Sequence, residues 1–531
     1  MRRGEKCEKS QEKQEKTGTG GGGREQKEAV QNLKCYHGVQ KKEEACKLMK
    51  GYPAGTFLIR SSLTRNEVKL VLFLSVKVAS GDNDSNVHHY LILKGDGTYC
   101  LVQDFKENES GNAAVVHESP KFKTVTDLIN YYRHHRLACK IRLAKHIKRP
   151  SWQLRNYQVV FDESGRLGAG NFCVVYKGKH VNKEGKEVNV AAIKVSKDTG
   201  NESAALMETR NLLMAEAKIM INYKHPNVIL LYGLACDVTP FMVCMEFCAG
   251  GSLEDALKKF GKDMEEYERQ ILLLDAARGM RYLHNQKCIH RDLASRNCLI
   301  SSEGLVKIAD FGLSKTLEKN QTAFKEALKE APLAWLAPEC IQRESEFSIK
   351  TDVWAFGVVI FEVYNNAAKL FDGEDDTTVI RRIKRANMPT IENRTKLPSM
   401  QAVLSSIWTR KPDDRPDFQK VLEQLVAALL PIQPEDLKKM QINNLKGVTR
   451  TQMPNTSLEA DIAPVVEEPN QDGSEKVLNN KSRAVEMGKK KTGNRRDRKS
   501  DKRTQREEAP KSRKPVPIRN TVRKGPGPTS E

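Results

Sequence analysis

The sequence has none of the cysteine pairings that announce a disulfide framework or a structural zinc site. Its 12 cysteines run from Cys7 to Cys340 with no C-x-x-C pair and no His/Cys cluster at zinc-ligand spacing. Reduced thiols in a cytosolic or nuclear setting are the expectation. No apolar run approaches the roughly 18 residues of a membrane span. The opening Met1-Arg2-Arg3-Gly4 offers neither an apolar signal region nor the second-position glycine that myristoylation needs. A soluble or peripheral chain is expected. Aromatic residues are scarce, at 6% of 531. None is interleaved with the charges at the C-terminal end, where base stacking would require them, so specific nucleic-acid binding is not expected there. Both ends also lack apolar residues. Residues 1–33 are mostly Lys, Glu, Gln and Gly, and the stretch from about 440 onward is charged and apolar-poor, so disorder is expected in both.

Positive charge is in excess. The formal net charge is +21, and from Lys481 to the end 18 Lys and Arg face 6 Asp and Glu. A basic run of this kind suits acidic partners: anionic membrane, nucleic acid, or a nuclear import receptor reading Lys489-Lys490-Lys491 or Arg495-Arg496-Asp497-Arg498-Lys499. A merely solubilising tail fits the same composition equally well. The length and the 39% apolar content leave room for two folded domains between the ends.

The most specific stretch is Ile289-His290-Arg291-Asp292-Leu293-Ala294-Ser295-Arg296-Asn297, with Asp310-Phe311-Gly312 downstream. It resembles the protein-kinase pattern H-R-D-L-x-x-x-N followed by D-F-G. Phosphoryl transfer asks mainly for positioning and charge neutralisation: a carboxylate to take the substrate hydroxyl proton, and oxygen ligands for magnesium. Asp292 is the candidate base, and Asn297 and Asp310 are the candidate Mg2+ ligands. Upstream, Leu167-Gly168-Ala169-Gly170-Asn171-Phe172-Cys173-Val174-Val175 resembles the glycine-rich loop that covers ATP phosphates, with Cys173 in place of its third glycine. Ala191-Ala192-Ile193-Lys194 resembles V-A-I-K, so Lys194 would pair the α and β phosphates, and Glu216, on a helical stretch, would pair Lys194. The same resemblance puts Met245 at the gatekeeper position and lets Glu246 to Cys248 offer backbone groups to adenine. Leu167 to Val175, Ala192, Lys194, Met245, Glu246 and Cys248 then form the expected ATP site. Ala337-Pro338-Glu339 would close the activation segment, with Arg415 paired to Glu339.

The acceptor is also implied. Asp292-Leu293-Ala294-Ser295-Arg296-Asn297 resembles the D-L-A-A-R-N form of tyrosine kinases, with Ala294 where serine/threonine kinases usually carry lysine, and Arg296 belongs to this form. Pro332-Leu333-Ala334-Trp335 resembles the proline and tryptophan platform for a long phenolic side chain. Between Asp310 and Glu339 there is no tyrosine; the usual autophosphorylated one would fall near Thr322 or Ala323. In kinases that use it, the new phosphate orders the loop by pairing with basic groups, here including Arg291. Glu318, Glu326 or Glu330 could serve as a permanent anion instead, with phosphorylation of Thr316 or Thr322 as the alternative. Cys173, above the ATP phosphates beside a lysine, could favour the thiolate, although a harmless small residue is the stronger reading.

Closer to the N-terminus, Tyr36-His37-Gly38 precedes a helical stretch, and Gly55-Thr56-Phe57-Leu58-Ile59-Arg60-Ser61-Ser62 reads as a strand. Period-two alternation puts Arg60 on the face of Leu58, turned inward, and an inward arginine needs an anion. The order resembles the Src-homology-2 (SH2) domain, which binds phosphotyrosine, with Arg60 as the bidentate phosphate contact and Ser62, Lys42 and His89 completing the pocket. Cys35, Lys42 and Ser61 depart from the family's tryptophan, arginine and glutamate. The alternative is an Arg60 paired with an internal carboxylate.

Taken together, the chain resembles the Fer and Fes group of non-receptor tyrosine kinases, whose SH2 domain packs on the kinase small lobe. The expected fold class is α+β. A 35–147 SH2 domain, with a central antiparallel sheet flanked by two helices, precedes a bilobal kinase domain at 157–432. A 148–156 linker joins them, and disordered tails at 1–33 and 440–531 flank the pair. The resemblance implies ATP and Mg2+ as cofactors, tyrosine-phosphorylated proteins and tyrosine substrates as partners, and a cytoplasmic place, peripheral at membrane or nuclear through the tail. A pseudokinase adaptor is the rival, favoured only by Cys173 and the unusual activation segment.

Overall fold

Alternation along one strand organises the first domain. The structure, a computed structural model, describes residues 30–63, 70–107, 113–118, 120–170, 173–197, 203–327, 332–342, 344–391 and 398–459; the basic segment from Lys481 and the partners expected of it lie outside these. Strands β1 (Tyr36–Val39), β2 (Phe57–Leu63), β3 (Leu70–Lys77), β4 (Val87–Gly95), β5 (Thr98–Glu107) and β6 (Ala113–Glu118) form one sheet in sequence order, with helix α1 (Lys42–Leu48) after β1 and α2 (Val125–His134) after β6. β1 runs parallel to β2 and the other neighbours are antiparallel. Phe57 and Ile59 of β2 pack with Leu128, Ile129 and Tyr132 of α2. Leu58, on the opposite face, packs with Ala45 and Cys46 of α1 and with Met49 at its end, which turns Arg60 toward α1 as well. Thr124 caps α2 by accepting the Asp127 N–H at 3.0 Å.

The second domain opens on a six-stranded sheet of order β7-β11-β12-β10-β9-β8. Its strands are β7 (Gln153–Leu154), β8 (Val159–Ala169), β9 (Cys173–Val181), β10 (Glu187–Ser196), β11 (Leu231–Ala235) and β12 (Met242–Glu246), and helix α3 (Ser203–Met220) falls between β10 and β11. A larger, mainly helical lobe follows. After the short strand β13 (Gly251–Ser252) come α4 (Leu253–Phe260), α5 (Glu266–Asn285), strands β14 (Cys288–Ile289), β15 (Cys298–Ile300), β16 (Val306–Ile308), β17 (Lys315–Thr316), β18 (Ala323–Glu326) and β19 (Ser345–Ser348), then α6 (Ile349–Tyr364), α7 (Asp376–Lys384), α8 (Pro398–Ile407), α9 (Phe418–Ala428) and α10 (Pro434–Lys439). α6 is buried from Thr351 to Tyr364, as an all-round apolar helix must be. It can approach α8 because residue 357 is glycine: a Cβ there would lie 2.4 Å from Trp408 Nε1.

The expected linker is built into the small lobe. Gln153 and Leu154 pair in parallel with Leu234 and Ala235. Arg149 pairs with buried Asp237, and Arg155 donates to the Leu33 carbonyl at 2.9 Å. The first domain rests directly on this lobe, with Val39 N–H donating to the Cys236 carbonyl at 3.0 Å. Glu44 of α1 meets Arg210 of α3 at 2.8 Å and Lys218 at 3.7 Å. Burial pushes the Glu44 carboxyl up, but Arg210, the Lys41 amide and Lys218 outweigh it and hold the group below the usual carboxylate range.

One expectation needs correction. Disorder was expected from about residue 440, yet the described chain to Glu459 packs on the large lobe. Leu437, Met440, Ile442 and Val448 are buried in its core, and Arg450, 1% exposed, is 2.7 Å from Asp275 Oδ2 on α5. Arg450 also donates to the Gly304 carbonyl at 2.9 Å, and Arg278 to that of Ser457 at 2.8 Å. The Lys, Asn and Gln residues around these four apolar side chains lower the mean hydropathy of the stretch without removing the anchors. Among the described residues, Arg450→Ala would leave the buried Asp275 carboxylate with the Val306 N–H as its hydrogen-bond partner. The expected loss is about 3–5 kcal/mol of kinase-lobe stability. Urea unfolding measures it, and an unchanged midpoint would show that this strap is not anchored.

Candidate active site and anion pocket

The cleft between the lobes gathers the charged residues expected there. β10 carries Lys194, whose Nζ lies 2.9 and 2.8 Å from the two oxygens of Glu216 on α3 and 3.6 Å from Asp310 Oδ1. Burial alone would depress the Lys194 ammonium; Glu216 and Asp310 outweigh it and hold the group above its ordinary value, so it stays charged. Asp310 has the same balance with the sign reversed: burial pushes it up, and Lys194 with the Gly312 amide brings it below its ordinary value.

The catalytic loop hangs from a residue that the sequence alone did not single out. Asp352, at the start of α6 and 1% exposed, accepts the N–H groups of His290 at 2.8 Å and Arg291 at 2.9 Å, and meets His284 Nε2 at 2.9 Å. That grip fixes Arg291 in the left-handed region, φ +70°, a strained conformation that surrounding contacts must hold. His290 Nε2 meets the Ala309 carbonyl at 3.1 Å and so ties the loop to Asp310. The place of Asp352 in the chain, Asp352-Val353-Trp354 at the start of a helix, gives no hint of a contact across more than sixty residues.

Asp292 is then held from both sides. Arg296 pairs with its Oδ1, and Asn297 Nδ2 donates to its Oδ2 at 2.8 Å and its carbonyl at 2.7 Å. Among the described residues this uses the Asn297 amide as donor and leaves its oxygen without a protein partner. An amide oxygen and the Asp310 carboxylate are the hard oxygen donors that Mg2+ takes, with phosphates and water filling the other positions. The guanidinium of Arg296 lies 4.7 Å from the Trp335 ring centroid, which joins the catalytic loop to the end of the activation segment.

The roof of the cleft is β8 and β9. Among the described residues, a Cβ added at Gly168 or Gly170 would meet nothing within 4 Å, so packing against them does not call for glycine at either position. Approach by an outside molecule does. Leu167, Ala169, Val174 and Val175 belong to these strands, while Asn171 and Phe172 lie outside the described residues. Cys173 is 5% exposed, and burial pushes its thiol up despite Lys194. The reactive-thiolate idea is thereby corrected: desolvation of the sulfur wins over the nearby cation. Deeper in, Ala192 pairs with Met245 between β10 and β12, Glu246 meets Lys307 at 3.0 Å, and Cys248 is buried just beyond.

In the first domain, Arg60 is 3% exposed. Its Nη1 donates to the Gln40 carbonyl and its Nε to Ser75 Oγ, both at 3.1 Å, and its guanidinium lies 4.6 Å from the Phe73 ring centroid. Ser75 Oγ also meets His89 Nδ1 at 2.8 Å. Burial lowers Arg60 to about 10, and burial followed by Arg60 and Lys42 lowers His89 to about 4, so Arg60 is charged and His89 neutral near pH 7. Among the described residues no carboxylate lies within ion-pair distance of Arg60, which speaks against the internal-carboxylate alternative. Lys42 opens α1 and is exposed, and Ser62 shares the Arg60 face of β2. A buried cation without a counter-ion is a site for an anion from outside.

A family model for the SH2 domain matches residues 35–132, and one for protein tyrosine and serine/threonine kinases matches residues 161–425. The chain is an SH2 domain followed by a protein tyrosine kinase domain. Its homologues include kinases of the Fer type. Fer-related kinase 1 of Caenorhabditis elegans is 29% identical over 406 residues, 75% of this chain and 94% of that one. Tyrosine-protein kinase transforming protein Fps of avian sarcoma virus (strain PRCII) is 28% identical, over 74% of this chain and 67% of its own length. For tyrosine-protein kinase Fer of Homo sapiens the identity is 28%, covering 73% of this chain but 43% of Fer. Arg60→Leu removes a charge-assisted pair of about 1.5–3 kcal/mol, so phosphopeptide affinity is expected to fall at least tenfold. Calorimetry with a phosphotyrosine peptide measures it, and wild-type protein that binds the unphosphorylated peptide equally well would refute the pocket.

Proposed function

We propose that this chain is an active, ATP- and magnesium-dependent protein tyrosine kinase, guided to its substrates by phosphotyrosine recognition at Arg60. The observation that carries the reading is the assembled charge set: Lys194 bridged to both oxygens of Glu216 and within 3.6 Å of Asp310, facing an Asp292 held by Arg296 and Asn297. Phosphotyrosine binding by an adaptor would need none of it. In the proposed reaction the tyrosine hydroxyl oxygen attacks the γ-phosphorus, the bond from that phosphorus to the β–γ bridging oxygen breaks, ADP leaves, and the phenolic proton passes to Asp292. Lys194 orients the α and β phosphates. Mg2+, held by Asn297 and Asp310, would neutralise charge on the β and γ oxygens. Ala294 leaves the space beside Asp292 free of a second cation, and Trp335 under Arg296 supplies a flat support for a phenolic ring, which favours tyrosine.

Asp292→Asn and Lys194→Met are each expected to lower transfer at least about a hundredfold with unchanged circular dichroism. Radiolabel on tyrosine in a Glu/Tyr polymer is the readout. Label confined to serine would overturn the acceptor assignment, and wild-type protein inert under every activating condition would return the adaptor reading. The same proposal places the protein in the cytoplasm, held peripherally at anionic membrane by the basic tail. Deleting residues 481–531 is then expected to abolish sedimentation with phosphatidylserine vesicles at physiological salt. Nuclear accumulation dependent on Lys489 to Lys491 would favour the import receptor instead.

A further inference from the structure

The segment from Asp310 to Glu339 offers no tyrosine to phosphorylate, yet it meets the catalytic loop through a charged contact. β18 runs antiparallel to β19 from Ala323 opposite Ser348 to Glu326 opposite Ser345. Glu326 Oε2 lies 3.2 Å from Arg291 Nη1 and 3.8 Å from Lys315 Nζ of β17. Phe324 and Phe347 stack at 5.5 Å across the two strands, and the Arg291 guanidinium covers both, 4.3 Å from the Phe347 centroid and 5.3 Å from that of Phe324. Arg291 also donates to the Leu313 carbonyl at 3.2 Å. Three separate pieces of chain, the catalytic loop, β17 and β18, thus converge on one carboxylate. Of the other acidic candidates in the segment, Glu318 is exposed and forms no ion pair with Arg291 among the described residues, and Glu330 lies outside them.

Arg291 is the residue before Asp292, and its backbone is fixed by Asp352. Whatever orders its side chain therefore registers the activation segment against the catalytic aspartate. Phosphorylation does this elsewhere by placing an anion of about −1.5 to −2 among basic groups. Glu326 supplies an anion of the same sign with no modification. It carries less charge, and the aromatic pair beneath Arg291 adds cation–π attraction on the other side.

We propose that Glu326 is a positioning residue that keeps the activation segment in the transfer-competent arrangement through Arg291 and Lys315, so that activity is basal and independent of loop phosphorylation. The inference rests on the kinase activity proposed above. Its test uses the full chain after phosphatase treatment, with the loop shown unmodified by mass spectrometry. Wild type is expected to transfer phosphate. Glu326→Gln is expected to lower kcat about fivefold, the upper end for an ion pair half open to water, with KM for ATP within about twofold and an unchanged melting temperature. Glu326→Lys should cost about tenfold or more, and Glu326→Asp should recover part of the loss. In an Arg291→Gln background the Glu326→Gln change should have a markedly smaller effect, because Arg291 is the nearer of the two partners and the one beside Asp292. Equal kcat for wild type and Glu326→Gln, or a wild type silent until Thr316 or Thr322 is phosphorylated, would overturn the inference and leave the kinase reading standing. A wild type silent under every condition would overturn both.

Discussion

The bridge between Lys194 and Glu216 is the contact on which the rest of the cleft depends. It joins β10, in the middle of the small-lobe sheet, to α3. Taking these charges out of water is costly unless each finds a close partner, and here the lysine has two, Glu216 and Asp310. The position of α3 is therefore coupled to the chemistry. The same helix carries Arg210, 1% exposed, on a different face, and Arg210 reaches Glu44 of the SH2 domain. One helix thus faces Lys194 in the cleft on one side and the SH2 domain on the other.

The large lobe uses buried charge differently. Arg415 meets both oxygens of Glu339 at 2.6 and 2.8 Å, and Arg450 meets Asp275. Such pairs contribute little net stability compared with apolar packing, but losing one member leaves an uncompensated charge, which makes the arrangement specific. The first pair pins the end of the activation segment to the loop before α9. The second pins a C-terminal strap across α5. Asp352 does the same work for the catalytic loop with backbone N–H groups as its partners, so that strain at Arg291 is held from outside the loop.

The SH2 domain presents the opposite case, a buried cation left open. Arg60 donates to a carbonyl and a hydroxyl, which engage two of its five N–H groups, and among the described residues no carboxylate lies within ion-pair distance of it. A phosphate arriving there restores neutrality in a partly dry site, where the gain from charge pairing is larger than in water. The glycine-rich roof of the kinase cleft is open in a comparable sense: among the described residues nothing fills the space beside Gly168 and Gly170.

Much of this was legible before any coordinates. Asp292 and Asn297 lie in one short loop, and Asp310 follows the β15–β16 hairpin that leaves and returns to it, so a fixed local motif carries all three, and the period of two in β2 is enough to turn Arg60 inward with Leu58. Lys194 and Glu216 were legible through resemblance, since neither spacing nor composition joins a strand residue to one on the next helix. The role of Asp352 was not legible, nor which of three acidic residues meets Arg291, nor that Gln153 and Leu154 add a strand to the kinase sheet. The ordered strap to Glu459 was read as tail, because sparse apolar residues among charges look unfoldable until a surface exists to receive them. Local pattern and residue chemistry determined which groups could act; the tertiary structure alone decided which distant groups hold them, because a contact across sixty or more residues leaves no periodicity in the chain.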